Sequence, residues 1–118
     1  MTSPTSSPAA VIDAYIEGTR TRDVSLLQTI FADGAVMSGW LGPDHLMGGP
    51  EPFYGALQAN EVGPDYAATV TALHQDGPIA TAHLSEQNLL GLAFENHFHM
   101  VQNGDDAWQI TAKLFRHS

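Results

Sequence analysis

The chain has 118 residues, 43% of them hydrophobic and 14% charged, which suits one packed domain and excludes a disordered chain, and no apolar stretch approaches the length of a membrane-spanning helix. Thirteen acids against four bases give a formal net charge of -9; the cations Arg20, Arg22, Lys113 and Arg116 are too few to build a surface for nucleic acid or anionic lipid. The absence of cysteine removes disulfide scaffolds, thiolate nucleophiles and cysteine-ligated zinc.

In chain order, MTSPTSS is rich in Ser, Thr and Pro and is expected to be loose over residues 1–7 of a single domain spanning 1–118. It carries neither the basic residues nor the apolar run of a secretion signal, so a cytoplasmic location is expected. Ser7 followed by Pro8 is an N-cap and first-turn pair, and apolar residues at helical spacing through Ala10, Ile12 or Val11, Ala14, Tyr15 and Gly18 predict a helix to about Thr21. Asp23 caps a shorter predicted helix, VSLLQTIF, with Leu26, Leu27, Ile30 and Phe31 on its buried face.

Asp33-Gly34 then turns the chain into AVMSGWL, read as a short strand ending at Gly39, and LGPDHLMGGP reads as a loop. A third helix is expected from Glu51 to Ala59. From Tyr66 onward the period becomes two: YAATVTALHQ, IATAHLSEQNLL, LAFENHFHMVQ and AWQITAKLFRH, separated by Asp-Gly-Pro, Gly and Asn-Gly-Asp-Asp punctuation, read as a meander of long strands. Helices first and strands last predict an α+β fold: a curved antiparallel sheet covered on one face by three N-terminal helices.

The segments YIEGTRTRDVSLLQTIFADGAVM and NHFHMVQNGDDAWQITAKLF, in that order of elements, resemble the nuclear transport factor 2-like superfamily, which implies that the sheet curls into a cone-shaped, cystatin-like roll. The F-A-D-x-A-V turn and the W-x-I-x-x-K-x-F strand look most like its SnoaL-like and putative lumazine-binding groups. The first half is also similar to ketosteroid isomerase. On that resemblance Tyr15 falls on the isomerase's hydrogen-bonding tyrosine, Asn96 near its protonated acid, and its proton-shuttling base falls on Gly39, which has no side chain to take a proton.

The resemblance therefore implies a pocket that binds more readily than it reacts. Tyr15 and Asn96 are neutral donors that could orient one polar atom, and Met37, Trp40, Phe53, Phe94, Phe98 and Met100 are candidate walls for a small hydrophobic or aromatic molecule. Asp44 and His45, in the glycine-rich segment, are the candidate bases for an alternative isomerase, dehydratase or cyclase activity on a small carbonyl or polycyclic substrate. Glu95, His97 and His99 share the opposite strand face. Their spacing would suit a metal with His74 or His83, but a solvated or dimer-contact surface is the expectation, with no metal and no cofactor. The resemblance implies a homodimer through that outer face.

Overall fold

A computed structural model describes residues 3–117. Met1 and Thr2, the start of the segment expected to be loose, lie outside the described residues. Ser3 to Ser7 form turns ahead of the first helix, where the Thr5 carbonyl accepts the Trp108 backbone N–H at 2.8 Å.

Helix α1 runs Pro8–Thr21, with the Ser7 side chain accepting the Ala10 N–H as its cap. It ends where Arg22 adopts a left-handed conformation, φ 59°, and its last carbonyls are taken up by the Arg22 and Asp23 backbone N–H groups. Helix α2, Val24–Ile30, is capped by Asp23, whose carboxylate accepts the Leu26 N–H at 3.1 Å. The two helices cross closely at Gly18, where an added Cβ would come within 2.9 Å of the Leu27 side chain. Helix α3, Glu51–Ala59, is tied to the end of α1 by the Arg22 guanidinium, which donates to the Leu57 carbonyl at 2.6 Å and the Gln58 carbonyl at 3.1 Å.

The strands are β1 Phe31–Leu41, β2 Asp44–Gly48, β3 Ala67–Asp76, β4 Ile79–Leu89, β5 Leu92–Gln102 and β6 Trp108–His117. They form one six-stranded sheet in the order β2-β1-β6-β5-β4-β3. Every neighbouring pair is antiparallel except β1 with β6, which run parallel, so the sheet is mixed rather than wholly antiparallel. That pairing follows from the chain path: β1 precedes the meander and is added to its last strand, in the same direction.

Two expectations are corrected. The first strand continues past Gly39 to Leu41, and Asp44–Gly48, read as loop, is a strand that pairs antiparallel with β1 from Leu41↔Asp44 to Met37↔Gly48. Gly42, at φ 60°, supplies the turn between them. β2 is exposed along its whole length, so it carries no alternating pattern by which sequence could reveal it.

One face of β4, β5 and β6 packs on the helices. Ala80, Ala82 and Leu84 of β4, Phe98 and Met100 of β5, and Ile110 of β6 are buried with Val11, Ile12, Tyr15, Leu27 and Leu57. The opposite face carries Thr81, His83, His97, His99 and Leu114, all exposed.

Candidate functional site

Alternation along β4 buries not only Ala80, Ala82 and Leu84 but also the next residue in phase, Glu86, which has no exposed surface. A buried carboxylate is costly unless donors replace its water. Three do: Tyr66 Oη donates to Oε2 at 2.6 Å, while Asn96 Nδ2 donates to Oε1 at 2.8 Å and Tyr15 Oη to the same oxygen at 3.3 Å. Burial, reinforced by the Glu86 charge, raises the pKa of both phenols well above the usual tyrosine range, which keeps them protonated as donors. Asn96 is oriented by two acceptors, since Nδ2 also donates to the Leu84 carbonyl at 3.1 Å, and its Oδ1 has no partner among the described residues.

Lys113, on β6, is the second buried charge, 4% exposed. Its Nζ donates to Tyr15 Oη at 2.7 Å and lies over the Phe53 ring at 4.4 Å and the Tyr15 ring at 4.9 Å. Tyr15 thus sits between the two charges, accepting from the ammonium and donating to the carboxylate. Burial pushes the Lys113 pKa down to about 8, and the Glu86 charge opposes that shift.

How Lys113 comes to face inward depends on an irregularity in the ladder. Met100 pairs with Ile110 but His99 pairs with Ala112, so Thr111 is an extra residue on β6. Past it the inward phase moves from even to odd positions. Without that bulge, the alternation set by Trp108 and Ile110 would have placed Lys113 on the outer face.

Glu86 and Lys113 bound a cavity of about 370 Å³ whose other walls are almost all apolar: Met37 from β1, Pro52, Phe53 and Ala56 from α3, Leu89 at the end of β4, Leu90 in the turn after it, Phe94 from β5 and Phe115 from β6. Its rim includes Leu41, Leu46 and Met47 of the β1–β2 hairpin, and Met47 is 77% exposed. Lys113 is the one cation among the lining residues.

The residues singled out from sequence are distributed around this cavity rather than gathered in it. Met37, Phe53 and Phe94 line it. Tyr15 and Asn96 stand behind the wall, their donors turned to Glu86 because an unsatisfied buried carboxylate outcompetes an apolar space for them. Phe98 and Met100 are core: Phe98 packs edge-on against Tyr15 at 4.9 Å, and both are 1% exposed or less.

Trp40 points outward, 52% exposed, and stacks on His45 at 5.0 Å in a separate shallow depression. Asp44 and His45 are exposed on β2, neither lines the larger cavity, and the candidate bases therefore lie apart from the buried charges. On the outer face His83 and His97 stack at 3.9 Å, and among the described residues no group of three His, Asp or Glu side chains is placed to hold a metal.

Glu86, Tyr66 and Lys113 were absent from the sequence candidates. Glu86 had a legible signal, an acid in phase with the buried Ala80, Ala82 and Leu84. Lys113 had none, since its phase is set by the bulge.

The profile of the family described as putative lumazine-binding matches residues 5–116. A nuclear transport factor 2-like protein of unknown function from Shewanella baltica OS155 is similar in structure, with a TM-score of 0.84 at 17% identity over 93% of this chain and 90% of that one. Another from Silicibacter pomeroyi DSS-3 gives 0.83 at 20% identity over 93% and 92% of the two chains. A ketosteroid isomerase-like protein from Erwinia carotovora atroseptica SCRI1043 gives 0.71 at 17% identity over 99% and 98%. At these identities the likeness is one of fold. No curated protein matches the sequence.

Proposed function

The chain belongs to the putative lumazine-binding family, within the nuclear transport factor 2-like superfamily, and from that premise we propose that it binds a small hydrophobic or aromatic molecule through one hydrogen-bond-accepting atom held by Lys113. The observation that carries this reading is the asymmetry of the two buried charges. Glu86 already accepts three hydrogen bonds, whereas an ammonium has three N–H donors and Lys113 has one acceptor, Tyr15, among the described residues. A ligand meeting the spare donors must offer an acceptor: a carbonyl, phenolate or carboxylate oxygen. The cavity's size and apolar walls suit a flat or compact apolar body attached to that atom.

An isomerase or dehydratase using His45 or Asp44 as base is the less supported alternative, because both lie on the exposed hairpin outside the cavity.

Thermal melting with naphthoate, naphthol and naphthylmethylamine tests the binding reading. At ligand about tenfold above Kd, naphthoate and naphthol should stabilise by about 1.4 kcal/mol, a rise on the order of 5 °C, and the cationic amine should not. Lys113→Met should erase the preference. Equal shifts from all three ligands, or a preference that survives the substitution, would sink it.

As for partners, a homodimer through the outer face of the sheet is part of the same proposal, supported by Val36, Ile79, Val101 and Leu114 exposed there. Sedimentation at the monomer mass at micromolar concentration would end that part.

A further inference from the structure

Lys113 is the only lysine of the chain, and it is placed where an amine can do more than hold a ligand. We propose that Lys113 captures an apolar aldehyde or ketone covalently, as an imine, in the cavity between α3 and the sheet. The inference rests on the binding reading and specifies the ligand's reactive group.

Three features of the geometry carry it. First, the amine bounds a nearly all-apolar cavity, so a carbonyl compound partitions toward it while bulk water is largely displaced. Second, a proton has a defined route off the nitrogen. Nζ donates to Tyr15 Oη at 2.7 Å and Tyr15 Oη donates to Glu86 Oε1 at 3.3 Å, so the phenol can take a proton from nitrogen while passing its own to the carboxylate. Third, the product is matched to the resting site. A protonated imine is a cation like the ammonium, and it would keep its charge above the Phe53 ring and near Glu86. Burial favours the neutral, nucleophilic amine, since it brings the lysine down to about 8.

The step balances without a further reagent. With one proton passed along Tyr15 to Glu86, the amine lone pair bonds to the carbonyl carbon and the C=O π pair moves to oxygen, which takes a second proton from the attacking nitrogen to give the carbinolamine. The C–O bond then breaks, oxygen leaves as water with the proton that Glu86 returns, and the nitrogen lone pair closes the C=N bond. Overall the ammonium and the carbonyl yield the protonated imine and one water, with charge unchanged. Tyr15 is a positioning residue here and relays the proton; Lys113 is the residue that bonds.

Hydrocinnamaldehyde tests the proposal, because its phenyl ring suits the apolar walls and its aldehyde the amine. The full chain is incubated with it near neutral pH, reduced with sodium cyanoborohydride and mapped by peptide mass spectrometry. A single reduced adduct on the peptide carrying Lys113 is expected, formed at least about tenfold faster in the folded protein than in the same protein unfolded in urea. Tyr15→Phe should slow the labelling by a larger factor than it weakens binding of hydrocinnamyl alcohol, which cannot form an imine.

Equal rates of Lys113 labelling in folded and unfolded protein, or no adduct on Lys113 while the alcohol raises the melting temperature, would overturn the imine and leave the binding reading standing. If neither the alcohol nor the aldehyde is bound, the binding reading fails and the imine with it. The wild-type protein decides all these outcomes, so a variant that fails to fold leaves none of them open.

Discussion

Tyr15 Oη lies 2.7 Å from Lys113 Nζ and 3.3 Å from Glu86 Oε1, so one phenol on the first helix connects the two buried charges of the sheet. A helix that supplies only packing would not need that hydroxyl. Because it both accepts and donates, it lowers the cost of burying an ammonium and a carboxylate that make no direct ion pair within 4.0 Å.

Tyr15→Phe separates this role from packing. The ring keeps its edge-on contact with Phe98 at 4.9 Å and its stack on Phe53 at 5.9 Å, while Lys113 loses its acceptor and Glu86 one of three donors. A loss of about 1–3 kcal/mol is expected, read as a lower denaturation midpoint at unchanged slope. A loss below about 0.5 kcal/mol would mean that the hydroxyl makes no net contribution.

The pH dependence of stability should carry the signature of Lys113. Its folded pKa, down to about 8, lies below the ordinary lysine value of about 10.4 that the unfolded chain retains. Between those values the unfolded state binds the extra proton, so this residue's contribution to stability rises with pH across that window and is flat below it. Relative to Lys113→Met, the wild type should gain about 2 kcal/mol on going from pH 7 to about pH 9.5. The raised tyrosines act with the opposite sign, but only above about pH 10. Glu86→Gln removes the charge that holds the lysine up, so the same rise should begin at lower pH. A stability gap that does not change over this range would show that Lys113 titrates normally.

Gly39 is where the isomerase resemblance would have put a base, and its surroundings explain why no side chain stands there. A Cβ built on Gly39 would run into the Phe115 carbonyl across the parallel β1–β6 pair. Gly39→Ala should therefore cost on the order of 1–3 kcal/mol or disrupt the pairing, even though Ala is ordinarily tolerated in a strand. Amide hydrogen exchange of β1 against β6 would report it, and unchanged protection would count against the close approach.

Much of the architecture was legible because it is encoded locally. Ser7-Pro8 and Asp23 cap the two first helices as their residue types require, and alternation along β4 and β5 follows from the pleat. That same alternation already held Glu86 in phase with Ala80, Ala82 and Leu84, a signal that hydrophobic patterning passes over because it looks for apolar residues.

What only the tertiary structure decided is which polar groups meet. β2 is exposed throughout and is defined by its partner β1, not by its own pattern. Tyr15 and Asn96 were readable as donors, but their target, Glu86, lies 71 and 10 residues away, and donors buried together turn to the charge that most needs them. Lys113 faces inward only because Thr111 is an extra residue in the ladder. A shift of one residue exchanges the two faces of a strand, and where it falls is set by pairing with the neighbouring strand, which no local pattern records.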